Sequence, residues 1–133
     1  MSKVDRTRIN KIINAGDVTE LNSYAEELAK EFAPNSEREK KKKLTTSQIR
    51  NILDNVQRMS KEGVEKGEYE LLRPKLAYVA GRSDKENYAV RDLREILDIA
   101  LQNVGKDYRK FENFRNFLEA IVGYHKFYSQ VKD

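Results

Sequence analysis

Apolar residues along this chain return every three or four positions, and no alternating stretch of useful length interrupts them. That is the period of one face of a helix, so the chain reads as helix from end to end. Val4, Ile9, Ile12 and Ile13 make a first short helix that stops at Asn14-Ala15-Gly16. Asp17 is placed to cap a second, whose buried side is Val18, Leu21, Ala25, Leu28 and Phe32. Pro34-Asn35-Ser36 ends it.

A third helix follows Thr45 or Thr46 as cap, with Ile49, Ile52, Leu53, Val56 and Met59 inward and Gly63 and Gly67 bracketing its end. From Glu68 to Gly81 the pattern is again helical except at Pro74. That proline allows either two short helices or one bent one. Gly81 suits a C-terminal cap, and Ser83 with Glu86 fits a capping box for the next helix. Ala89, Leu93, Ile96, Leu97, Ala100 and Val104 line that helix up to Gly105. The last is the longest: Phe111, Phe114, Leu118, Ile121, His125 and Tyr128 step by three and four, which makes it central to the core.

One segment lacks an apolar face. Residues 37–43, EREKKKK, read as a basic linker or a frayed, solvated helix start, expected to be mobile and dispensable for the fold. The expectation is therefore an all-α single domain over 1–133, an elongated bundle of about five to six helices. It divides into N-terminal helices (1–36), the basic linker (37–43) and a main body (44–133).

Charge alters this picture more than composition does. Charged residues are 36% of the chain, well above the usual quarter, so the core is thin and partners are expected. The net charge of +4 permits a polyanion partner without demanding one, because both signs are mixed along most helices. There is no cysteine, which removes disulfides, thiolate metal sites and thiol nucleophiles, and which suits a reducing cytoplasm. No apolar run reaches the roughly 20 residues of a membrane span, and the first ten residues lack the apolar core of a signal peptide.

Catalytic chemistry finds little support. His125 is the only histidine, and it falls on the apolar stripe of the last helix, where a packed and hydrogen-bonded ring is expected. Asp92, Glu95 and Asp98 interleave with Arg91 and Arg94 as surface ion pairs do. No spacing marks an acid–base pair, a metal cluster or a phosphate-binding glycine loop, so neither a catalytic residue, a metal nor a cofactor is expected. The lysine run 40–43 suits either a grip on phosphates or a solvated linker.

The stretch RPKLAYVAGR, residues 73–82, is the informative one. On a helix, Lys75, Tyr78 and Arg82 share one face while Leu72, Leu76 and Ala80 share another. Two cations about 10 Å apart then flank an aromatic ring, a face suited to a sugar-phosphate backbone. The same pattern also arises when long stems merely carry their charges out of a crowded helix.

Three stretches in register resemble a known family: LTTSQIRNIL at 44–53, RPKLAYVAGR at 73–82 and FLEAIVGYHKFY at 117–128. Their order and separation are similar to the small subunit of the type III-A CRISPR effector, the Csm complex. The resemblance covers residues 44–133. Gly123 and Ser129 stand where that family is expected to carry Ala and Gly. It implies an all-α, non-catalytic protein whose copies stack along a filament of backbone subunits. There they line the groove in which guide and target RNA pair, with the large subunit nearby. By this resemblance Lys75, Arg82 and Tyr78 face RNA, and Arg50 and Lys126 are secondary candidates. A purely structural adaptor with acidic protein partners is the alternative. A hydrolase would need a carboxylate cluster that only the fold can assemble.

Overall fold

The computed structural model describes residues 3–131. Among them are seven α-helices and no strand: α1 (Arg6–Ile13), α2 (Val18–Phe32), α3 (Thr46–Gln57), α4 (Lys61–Glu65), α5 (Leu72–Arg82), α6 (Tyr88–Gln102) and α7 (Tyr108–Tyr128). Two 3-10 helices, Glu37–Lys41 and Glu68–Leu71, join them. The protein is an all-α single domain, with one helix more than the periodicity implied, because α4 is too short to show a period.

α7 is the hub, packing against α1, α2, α3, α4 and α6. Phe111, Phe114, Leu118, Ile121 and His125 are fully buried, as is Phe117, which the stripe did not include. Phe117 stacks on Tyr24 of α2, ring centroids 5.7 Å apart. α2 runs parallel to α7. Tyr124 donates to Asn22 and, one turn on in both helices, Tyr128 donates to Glu26. Tyr128 is only half-buried, and Val18, at the first position of α2, is 74% exposed rather than part of the buried face.

The caps show where local pattern and structure part. Asp17 accepts from Glu20 N–H, and Thr45 forms a full capping box with Gln48. α6, however, is capped by Asn87, not Ser83. The buried Asn87 side chain accepts from Val90 N–H and donates to the Lys43 carbonyl, so it serves two segments at once. Ser83 instead donates back to the Val79 carbonyl of α5. Gly81 is not a cap either. It lies inside α5, exposed, as Gly123 lies exposed inside α7, and a Cβ at either would meet nothing within 4 Å beyond its chain neighbours and its own helix backbone. Gly63 likewise sits within α4, while α3 already ends at Gln57. Gly67 does mark a break, with the left-handed φ of 85° that glycine adopts without strain.

Pro74 resolves in favour of two pieces. The 3-10 helix Glu68–Leu71 leads into α5, and Pro74 falls in the first turn of α5, where its missing N–H is no loss. The basic segment 37–43 is a single 3-10 helix and its exit. Its ends are tied down: Asn35 N–H to Glu39, Lys43 Nζ to the Glu31 carbonyl, and Leu44 N–H to the Phe32 carbonyl. His125 Nε2 then donates to the Leu44 carbonyl, which fixes the start of α3 against α7.

Candidate nucleic-acid interface

α5 packs on α6 and α3 rather than on the α7 hub. Leu72, Leu76 and Ala80 are its buried edge. That leaves much of its circumference to solvent, and Lys75, Tyr78 and Arg82 stand there, all exposed. Tyr78 is 65% exposed, with the Arg82 guanidinium 5.7 Å from the ring centroid. A cation and an aromatic face are thus offered together.

Arg73, two residues before Lys75, is not part of this face. It donates to Asp98 at 2.7 and 3.2 Å and to Glu70 at 3.3 Å. The hydrogen bonds from Arg73, with a further one from Gln102, hold the Asp98 carboxyl below its ordinary range despite burial. Asp98 therefore pairs across to α5 rather than with Arg91 or Arg94 on its own helix. By contrast, Lys75, Arg82, Arg50 and Lys126 meet no carboxylate within salt-bridge distance among the described residues.

The exposed edge of α5 borders α3 along a groove. At one end Ser47, Gln48 and Asn51 of α3 face Tyr78, Arg82 and Ser83 across about 280 Å³. At the other, Asn55 and Arg58 lie with Leu71 and Lys75 across about 210 Å³. Tyr78 and Arg82 thus line one end of the α3/α5 seam and Lys75 the other. Arg50 is exposed on α3 beside the groove wall but does not line it. Lys126 is exposed on α7, and no lining residue comes from that helix. The pattern reading missed Asn51, Asn55 and Arg58. Their signal was present: with Ser47 they step by four, four and three, away from the Ile49, Ile52 and Val56 face.

A second groove, about 440 Å³, lies on the other flank of α5, floored by Ala77, Ala80 and Gly81. Its Arg6, Arg91 and Arg94 are mixed with Glu95 and Asp98, so its field is weaker than its cations alone would make it. Among the described residues no three His, Cys, Asp or Glu side chains are placed to hold a metal ion. Nor is any described helix long and apolar enough to cross a membrane.

No curated protein and no solved structure matches this chain. A family model does: that of Csm2 Type III-A, over residues 15–131 of the 133. The match spans α2 to α7, and so takes in the N-terminal region before residue 44 as well as the three stretches that carried the resemblance. The chain belongs to the Csm2 family, the small subunits of type III-A CRISPR complexes.

Proposed function

We propose that this small subunit is a non-catalytic clamp on target RNA. Lys75 and Arg82 neutralise phosphates of the target strand along the α3/α5 groove, and Tyr78 supports a ribose or base between them. Arg50 and Lys126 assist from the flanks. In this reading several copies stack along the backbone subunits that carry the guide RNA, near the large subunit, in the cytoplasm. Sequence is read by pairing with the guide, and the protein reads backbone. The observation that carries the proposal is the shared exposed edge of Lys75, Tyr78 and Arg82. It stands beside a groove, in a chain that has spent the neighbouring Arg73 on Asp98 and Glu70.

The test is Lys75→Glu with Arg82→Glu in the assembled complex. Both side chains are exposed, so folding and assembly should persist. Target RNA should dissociate faster for every guide. The log–log salt dependence should flatten by about 0.7 to 0.9 for each phosphate no longer neutralised. Loss of assembly instead would place these residues against protein and favour the adaptor role. An intact complex with unchanged affinity and salt slope would overturn the assignment.

A further inference from the structure

The α3 wall of the groove is chemically unlike the α5 wall. Ser47, Asn51 and Asn55 stand one helical turn apart, with Arg58 at the helix end, so this edge is a hydroxyl and two amides before its first cation. Ser47 and Asn51 lie opposite Tyr78 and Arg82, and Asn55 lies with Lys75. The Asn51 side-chain amide has no protein partner among the described residues. The Asn55 side chain donates one N–H to the Asn51 backbone carbonyl at 3.0 Å, and its oxygen accepts no hydrogen bond among the described residues. No carboxylate lines the end with Asn51, Tyr78 and Arg82, while Glu68 lines the end with Asn55 and Lys75.

An amide can donate to a phosphate oxygen, but its carbonyl oxygen finds no partner there. Amides both donate and accept, and so match a group that does the same. On a strand already paired to a guide, the Watson–Crick edges are taken and the phosphates face the α5 cations. Of the polar groups that remain in the shallow minor groove, the one that every nucleotide offers whatever its base is the ribose 2′-hydroxyl, donor and acceptor in one, and the group that DNA lacks. Asn51 and Asn55 are separated by about 6 Å along the helix, a spacing that can serve successive nucleotides.

We infer that Asn51 and Asn55 bind ribose 2′-hydroxyls of the target strand, so that this subunit itself contributes to choosing RNA over DNA. The inference rests on the RNA-clamp reading of Lys75 and Arg82, and it assigns a different chemical group to the opposite wall.

The experiment uses the assembled complex, with the wild-type subunit or with Asn51→Ala and Asn55→Ala together. The probes are a complementary RNA target and the same target carrying single 2′-deoxy substitutions at each position in turn. In the wild type, deoxy substitution at the positions over the groove should speed dissociation about two- to tenfold, the range of one uncharged hydrogen bond. The alanine variant, which lacks both contacts in every copy, should release all-RNA target faster than any single deoxy substitution does, and be indifferent to deoxy substitution at those positions. Its salt slope should match the wild type, since no charge is removed. A wild type insensitive at every position would overturn the inference without any protein variant. So would an alanine variant that keeps the wild-type deoxy sensitivity. Failure of the clamp reading looks different: the Lys75 and Arg82 reversals would leave the salt slope unchanged, whatever the deoxy series shows.

Discussion

Arg73 and Lys75 stand two positions apart on α5 and are put to opposite uses. Arg73 is tied to a buried carboxylate, while Lys75 is left in water. Asp98 bears the consequence. Its carboxyl titrates below the ordinary range in the fold, chiefly through the Arg73 hydrogen bonds. A depressed carboxylate stabilises the fold at pH above its unfolded pKa, near 4. That contribution is lost as pH falls through the folded value. Asp98→Asn should therefore cost about 1–2 kcal/mol at neutral pH, less than a sealed pair because the Arg73 side chain is 38% exposed. It should also flatten the loss of stability below pH 4. Urea denaturation at pH 7, 4 and 3 checks both, and parallel pH profiles for variant and wild type would refute the linkage. Sequence could not choose this partner for Arg73. Asp98 has Arg94 one turn away on its own helix, whereas the pairing that forms crosses between α5 and α6. His125 was more legible, because one histidine among apolar residues at helical spacing leaves packing as the simplest use of its ring. The Leu44 carbonyl as its partner was not, since 81 residues separate them.

At the scale of elements, the long amphipathic helices were legible and the joints were not. α2, α3, α6 and α7 each follow from apolar residues spaced by three and four, although α6 is buried on every side from Ile96 to Leu101. The start of α6 did not, because Ser83 and Glu86 satisfy a local motif while Asn87 satisfies two segments at once. Tertiary hydrogen bonds decide between caps that look alike in sequence. The basic segment makes the same point. By composition it is solvated, and Arg38, Lys41 and Lys42 are indeed exposed. Its exit is held, with Lys43 Nζ 5.1 Å from the Tyr88 ring centroid and Leu44 fully buried. Hydrogen exchange should therefore divide within a few residues. The Arg38 amide should exchange quickly, and the Leu44 amide, bonded to the Phe32 carbonyl, should be among the slower ones. Uniformly fast exchange through Leu44 would return the whole segment to the status of a linker.

For the whole molecule, the class, the single domain and the exposed edge of α5 followed from period and charge. The groove did not, because it is made by two helices whose relation no spacing encodes. Only after α3 is set beside α5 do Asn51 and Asn55 fall opposite Lys75 and Arg82. α7 supports that arrangement from behind, through its packing on α3 and the His125 bond to Leu44.

Gly81 and Gly123 carry a last consequence. Each sits within a helix, where alanine is favoured by about 1 kcal/mol, and each faces open space. The isolated chain thus holds a thermal reserve that two methyl groups would release. Gly81→Ala and Gly123→Ala should each raise its melting temperature by a few degrees, and a fall at either site would mean crowding that the free fold does not show. The same two methyls then act as feelers once the subunit joins its complex. A variant that melts higher alone yet assembles poorly has met a neighbour's backbone at that spot. One that does both well has shown that the surface there stays bare.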